Sequence, residues 1–261
     1  MPASSAIDNA FRLDGLHAFI TGGASGIGEA TAKELAKAGA TVWIADINMA
    51  AAQALATSLV ALGGNAHAIE VDVTSIESIE KAASALSQLD ILVNNAGIGH
   101  VGGVATTAVE DFDRLLNVNV RSVFLVTRAV LSLLLASPAK GCIVNIGSVA
   151  GLIGIKQRFA YCTSKGAVLA MTRQLAVEYA MELRVNAICP GTVETPFVEG
   201  YLDKYHAHEK EKIRTELKAR QPMGRLGQPE EIASMVRYLS SREAGFISGS
   251  LFTIDGGWTA A

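Results

Sequence analysis

The chain has 261 residues, half of them apolar and 18% charged, with a net charge of −3. That composition supports a large buried core and excludes a disordered chain. Its scattered Lys and Arg exclude the basic footprint of a nucleic-acid binder.

The strand and helix signals alternate along the chain. His17-Ala18-Phe19-Ile20-Thr21 reads as a first apolar strand, and Gly26 to Ala38 as a helix stopped by Gly39. Thr41 to Asp46 is a second strand, and Asn48 is placed to cap a helix running to Leu62. His67 to Val71 is a third strand, followed by a helix capped by Thr74 or Ser75. Asp90 to Asn94 is the fourth strand, and one long helical region spans Val109 to Ser137. Gly141 to Ile146 is the fifth strand, and a helix carrying Tyr161 runs to about Met181. Arg184 to Ile188 is the sixth strand. A charged helical stretch, Phe197 to Arg220, then breaks the alternation. A helix opened by Pro229 and a last strand, Ser250 to Ile254, complete the pattern.

Strands apolar throughout are buried on both faces. Repeated strand–helix units with right-handed crossovers predict an α/β, doubly wound parallel sheet. No shift in composition marks a boundary, so one domain over 1–261 is expected. No apolar run nears the roughly 20 residues of a bilayer span. The start, Met1 to Asp8, lacks the basic-then-apolar order of a secretory signal. Cys142, Cys162 and Cys189 read as free thiols of a reducing cytosol and lack metal-ligand spacing. The expected location is therefore cytoplasmic, with no metal, no membrane and no nucleic acid as partner.

The first strand leads through Thr21-Gly22-Gly23-Ala24-Ser25-Gly26-Ile27-Gly28 into a helix. Glycines there let the backbone approach a pyrophosphate, and the helix N-terminus supplies N–H donors. Asp46 ends the second strand about 20 residues on, where a carboxylate bonds a ribose 2′-hydroxyl and repels a 2′-phosphate. NAD is therefore favoured over NADP.

Tyr161 and Lys165 are four apart on a helix, so they share a face with Cβ atoms about 5–6 Å apart. An ammonium beside a phenol is expected to lower the phenol's pKa and fit it for proton transfer. Ser148 closes the fifth strand upstream.

In this order the motifs resemble the short-chain dehydrogenase/reductases over nearly the whole chain. The set comprises the glycine turn, Asp72-Val73, Asn94-Asn95-Ala96-Gly97, Asn119, Ser148, Tyr161, Lys165, Pro190-Gly191-Thr192-Val193-Glu194-Thr195 and the closing Asp255-Gly256-Gly257-Trp258. The resemblance implies a Rossmann fold with a seven-stranded parallel sheet and helices on both faces. It implies a catalytic tetrad of Asn119, Ser148, Tyr161 and Lys165 working with NAD. Tyr161 would exchange a proton with the substrate oxygen. Lys165 would hold the nicotinamide ribose, and Ser148 the substrate oxygen. Asn119 would hold a water linked to Lys165. Asp72 and Val73 would hold the adenine, and Asn94 the adenosine ribose. The loop of Pro190, Gly191, Val193 and Thr195 would meet the nicotinamide. Gly22, Ser25, Gly26, Ile27, Gly28, Ala96 and Gly97 complete the cofactor set. A homotetramer is implied too. One departure stands out: the Gly that members of the family usually carry ahead of the sixth strand is missing here.

The stretch 196–227 is expected to be a substrate lid. Arg158, three residues before Tyr161, and Arg220 in the lid are expected to bind a substrate carboxylate. This resembles the branch of 2-keto-3-deoxy sugar-acid and cytosolic type 2 3-hydroxybutyrate dehydrogenases. The small-molecule substrate expected is a sugar acid, sugar or small hydroxy acid. The alternatives are a 3-oxoacyl-[acyl-carrier-protein] reductase, a neutral sugar or polyol dehydrogenase, and a cofactor-binding scaffold without chemistry.

Overall fold

The computed structural model describes residues 10–261; the amino-terminal stretch read for a signal lies outside them. The strands are β1 (His17–Thr21), β2 (Thr41–Asp46), β3 (Asn65–Glu70), β4 (Ile91–Asn94), β5 (Gly141–Ile146), β6 (Leu183–Pro190) and β7 (Leu251–Ile254). They form one sheet, parallel throughout, in the order β3-β2-β1-β4-β5-β6-β7. Ile20 of β1 stands between Ile44 of β2 and Val93 of β4. The order reverses between β1 and β4, and in open sheets ligands bind at the carboxyl ends of the strands beside such a switch.

The helices are α1 (Gly26–Lys37), α2 (Met49–Ala61), α3 (Ile76–Ser84), α4 (Val109–Leu116), α5 (Ser122–Leu135), α6 (Phe159–Glu178), α7 (Pro196–His206), α8 (Lys210–Ala219) and α9 (Pro229–Ser240). Their starts follow from local chemistry. The Asn48 side chain accepts from Ala51 N and that of Ser75 from Ser78 N, each satisfying a free helical donor. One core joins Leu35 of α1, Leu55 of α2 and Val236 of α9 to one face of the sheet. A second joins Ile79 of α3 and Val126 and Val130 of α5 to the other. Every residue of β4, β5 and β6 is buried; the two polar residues of β6, Arg184 and Asn186, donate to the backbone carbonyls of Ala244 and Ile247. Each fully buried Leu, Ile or Val contributes about 1.5–3 kcal/mol.

Two expectations are corrected. The long helix is not regular: Asn117–Arg121 form a π-helical turn between α4 and α5. Such a turn adds a residue to the helix and re-aims a side chain, here toward the site. Contrary to the reading of apolar runs, the continuous stretch Val109–Leu135 is long and apolar enough to cross a bilayer by length and composition alone. In this fold its Val123, Val126, Val130 and Leu134 are buried in the core. The missing glycine has a local consequence only. α6 ends at Tyr179 without a left-handed residue, and Leu183 N donates to Tyr179 O at 2.8 Å to start β6.

Candidate active site

A cavity of about 620 Å³ opens at the carboxyl ends of β1, β4, β5 and β6. Its cofactor side starts at the turn after β1. Gly22 and Gly26 have φ of +61° and +53°, in the left-handed region that glycine adopts without strain. A Cβ on Gly28 would overlap Gly22 O, so the helix start and the turn pack backbone on backbone. Ser25 precedes α1 without a capping hydrogen bond from its side chain, leaving the first N–H groups of the helix for an anion. Gly22, Ser25, Gly26 and Ile27 line this wall, facing Ala96, Gly97, Pro190, Gly191, Val193 and Thr195. A glycine cradle that any side chain would fill, at a helix terminus, fits a dinucleotide.

Asp46 lies beside the same turn. Its carboxylate accepts from Ala24 N at 3.0 Å and from Asn48 N at 2.9 Å. Those bonds fix the carboxylate and leave further lone pairs on both oxygens. Asp72 and Val73 follow β3 at the same end of the sheet. Thr74 holds one Asp72 oxygen through its N–H and its hydroxyl, at 2.8 and 2.7 Å.

Asn94 is a correction. It is buried at the end of β4, and its amide donates to Asn145 Oδ1 at 2.9 Å and to Thr127 Oγ1 at 3.2 Å. Its side chain is committed to the interior and lies off the cavity wall. The next residue, Asn95, reaches the wall instead, and its amide pins the glycine turn through Thr21 O and Gly22 O.

The chemical end is built from four elements. Ser148 follows β5, and its Oγ accepts from Ala150 N at 3.1 Å. Tyr161 and Lys165 lie on successive turns of α6. Lys165 is buried, and its ammonium donates to Ile146 O at 2.8 Å. Asn119 sits in the π turn behind the cavity, accepting from Ile98 N and donating to Ile98 O and Ser164 Oγ. A Cβ on Gly97 would come within 3.3 Å of Asn119 Oδ1 and 3.7 Å of Lys165 Nζ. The absence of a side chain at Gly97 therefore lets these two groups flank the wall.

The expected electrostatics of Tyr161 need correcting. Burial raises its pKa above the ordinary 10, while the neighbouring Ser148 hydroxyl and the Arg158 cation pull it down. Lys165 does not act on the phenol, because its ammonium lies 6.0 Å from the ring centroid and points at Ile146 O. Burial lowers Lys165 to about 8. Without a bound partner, both groups are pushed toward their neutral forms.

Arg158 and Arg220 both line the cavity, each against a different aromatic ring. The Arg158 guanidinium lies 4.5 Å from the Tyr201 ring centroid and donates to His100 O at 3.2 Å. That of Arg220 lies 5.8 Å from the Trp258 ring. Arg114 and Lys204, which were not singled out from the sequence, line the cavity as well, and no Asp or Glu does. Among the described residues, none of these four cations forms an ion pair, whereas neighbouring Lys210, Lys212, Arg214 and Arg225 all do. Phe197 closes over the site, its ring centroid 6.3 Å from that of Tyr161.

The model of the family described as "Enoyl-(Acyl carrier protein) reductase" matches residues 22–259. The chain is a short-chain dehydrogenase/reductase. It is 40% identical over 246 residues to 2-(S)-hydroxypropyl-CoM dehydrogenase 3 of Xanthobacter autotrophicus, covering 92% of this chain and 95% of that one. Against cyclohexanol dehydrogenase of an Acinetobacter species the identity is 38% over 249 residues, covering 93% and 94%. A crystal structure from Beutenbergia cavernae, of a protein provisionally assigned as an NAD(P)-dependent gluconate 5-dehydrogenase with NADP at low occupancy, superposes with a TM-score of 0.88. Its identity is 32%, covering 96% of this chain and 99% of that one. This dehydrogenase/reductase is thus an oxidoreductase acting on CH–OH groups with a nicotinamide dinucleotide.

Proposed function

We propose that this enzyme is an NAD-dependent dehydrogenase interconverting a secondary alcohol and a ketone on a small hydroxy acid or sugar acid. The observation that carries the reading is the sign of the cavity wall: besides Lys165, four cations with no ion pair among the described residues, and no carboxylate in the lining. Arg158 meets the substrate carboxylate, since its guanidinium is held by Tyr201 and His100 O beside Tyr161. A planar guanidinium binds a carboxylate in bidentate fashion.

When bound, the nicotinamide supplies or accepts the hydride. The chain's residues do the rest. Tyr161 Oη gives a proton to the ketone oxygen, or takes one from the alcohol. Ser148 Oγ donates to the same oxygen as charge gathers there. Lys165, which donates to Ile146 O, would hold the ribose hydroxyls of the cofactor. Asn119 braces the backbone of Ile98 and the Ser164 hydroxyl against which this face of α6 packs. Asp46 would hold the adenosine ribose hydroxyls, and the α7–α8 pair would serve as the lid. Val109, Phe124 and Val177, exposed on helices, supply apolar surface for a homotetramer in the cytoplasm.

The test is initial-rate dehydrogenation with NAD and NADP over hydroxy acids, aldonates and neutral alcohols. The acids are expected to give the highest kcat/KM with NAD. Neutral alcohols turning over as well as the acids would overturn the reading. Asp46→Ala is expected to shift kcat/KM toward NADP by about ten- to hundredfold, the worth of a hydrogen bond to a charged group. A second reading, oxidation of a neutral cyclic alcohol, rests on the cyclohexanol dehydrogenase relative and on the apolar Ile98, Val149, Ile155 and Phe197 in the wall.

A further inference from the structure

The lid helix α7 sorts its residues into three arcs. Val198 and Leu202 are buried against Ile213 and Leu217 of α8. Glu199 and Asp203 turn away from the cavity and pair with Arg214 and Lys210. Phe197, Gly200, Tyr201, Lys204 and Tyr205 face the cavity, at the i, i+3, i+4, i+7, i+8 spacing of one helical face. Both acids near Lys204 in sequence are thus spent on other cations; its ammonium lies 5.1 Å from the Tyr205 ring centroid at the cavity mouth and, among the described residues, has no carboxylate partner.

That inner face also measures distance. Phe197 stands over Tyr161, 6.3 Å between ring centroids. Four residues on, about 6 Å along the axis, Tyr201 carries Arg158 on its ring. Lys204 follows about 10 Å from Phe197. Arg220, backed by Trp258, and Arg114 from α4 add positive charge to the same wall. One carboxylate beside the reacting carbon uses Arg158 and leaves the charge at Lys204 without a counter-ion.

We propose that the substrate carries a second anionic group, seated by Lys204 one turn beyond Arg158 on the inner face of the lid. The substrate class is then an extended hydroxy acid ending in a carboxylate, sulfonate or phosphate. The inference rests on the hydroxy-acid reading above and narrows it. Lys204 is exposed at the cavity mouth, so a solvated pair there is worth a modest gain, of about three- to fivefold.

The test is calorimetric titration of the whole chain with NAD present, independent of turnover. The probes are dicarboxylates from malonate to suberate, monocarboxylates of the same lengths, and ω-sulfo and ω-phosphono acids. At one chain length the dianion is expected to bind about three- to fivefold tighter than its monoanion. Lys204→Gln is expected to remove that advantage and Lys204→Arg to keep it. Whichever of carboxylate, sulfonate and phosphate gains most names the second group. No length at which the dianion gains more than about twofold would overturn the proposal. An advantage that persists in Lys204→Gln would overturn it too, as would a Lys204→Gln effect confined to NAD affinity. Arg158→Gln separates the two readings. Loss of monocarboxylate binding there supports the hydroxy-acid reading, and unchanged binding sinks that reading whatever Lys204 does.

Discussion

Replacing Tyr161 with Phe is expected to lower kcat by about 10²- to 10⁴-fold while leaving NAD affinity and the unfolding midpoint nearly unchanged. The substitution removes one hydroxyl and keeps the ring that packs against Phe197. Nothing else at the chemical end takes over the proton. Ser148 Oγ is tied to Ala150 N, and Lys165 is turned to Ile146 O. In the free enzyme burial raises the phenol's pKa, so it stays protonated through neutral pH. Reduction, which needs the phenol, therefore holds through neutrality and declines only at alkaline pH. Oxidation, which needs the phenolate, rises with pH. Initial rates in both directions across pH, with NAD titrations of both proteins, check this. A Tyr161→Phe enzyme within about threefold of the parent kcat would remove Tyr161 from the proton path.

The second large effect is at Lys165. Its folded value of about 8 lies below the ordinary 10.5, because burial disfavours the ammonium. Between those values the unfolded chain binds more protons than the folded one, so this group makes stability rise with pH. Below pH 8 the cost of burying the charge is present in full. The gap of about 2.5 units corresponds to roughly 3 kcal/mol. Lys165→Met removes that pH dependence. Relative to the variant, the parent is expected to gain about 3 kcal/mol between pH 7 and 10.5. The unpaired Ile146 carbonyl costs the variant about 1–3 kcal/mol at every pH, which leaves the slope untouched. Urea unfolding at a series of pH values measures it. Turnover is expected to collapse, since the cofactor loses its anchor beside Tyr161. Parallel stability curves for the two proteins would show that Lys165 carries no such cost.

Much of this fold is legible from local rules. β4 and β5 are apolar at nearly every position because both faces are covered, and Asn48 and Ser75 start their helices as short polar side chains do. The glycine turn and Asp46 are legible together, since one motif lies on β1 and the other on its neighbour β2.

What was not legible depends on tertiary contacts. The π turn at Asn117–Arg121 has no signature in Asn-Val-Asn-Val-Arg; within it Asn119 is bonded to Ile98 and Ser164, partners distant in sequence. Asn94 and Asn95 differ only in which side of the strand end they leave, and the partners Thr127 and Asn145 decide it. The spacing of Tyr161 and Lys165 predicts proximity but not that Lys165 finds a carbonyl first. On α7 and α8, Asp203 pairs with Lys210 and Glu199 with Arg214. Which lid charges stay unpaired follows from the three arcs of α7, and the inner stripe of Phe197, Tyr201 and Lys204 is the signal that marks them.

In the proposed reading the cavity takes an anion beside Tyr161, and Arg158 holds it. The most direct measurement is steady-state kinetics of Arg158→Gln, with NAD saturating, on a hydroxy acid and on a neutral secondary alcohol of the same size. KM for the acid is expected to rise by about ten- to hundredfold, the loss of a charged hydrogen-bonded pair, while the neutral alcohol changes by less than about threefold. An unchanged KM for the acid, or an equal loss on both substrates, would contradict it.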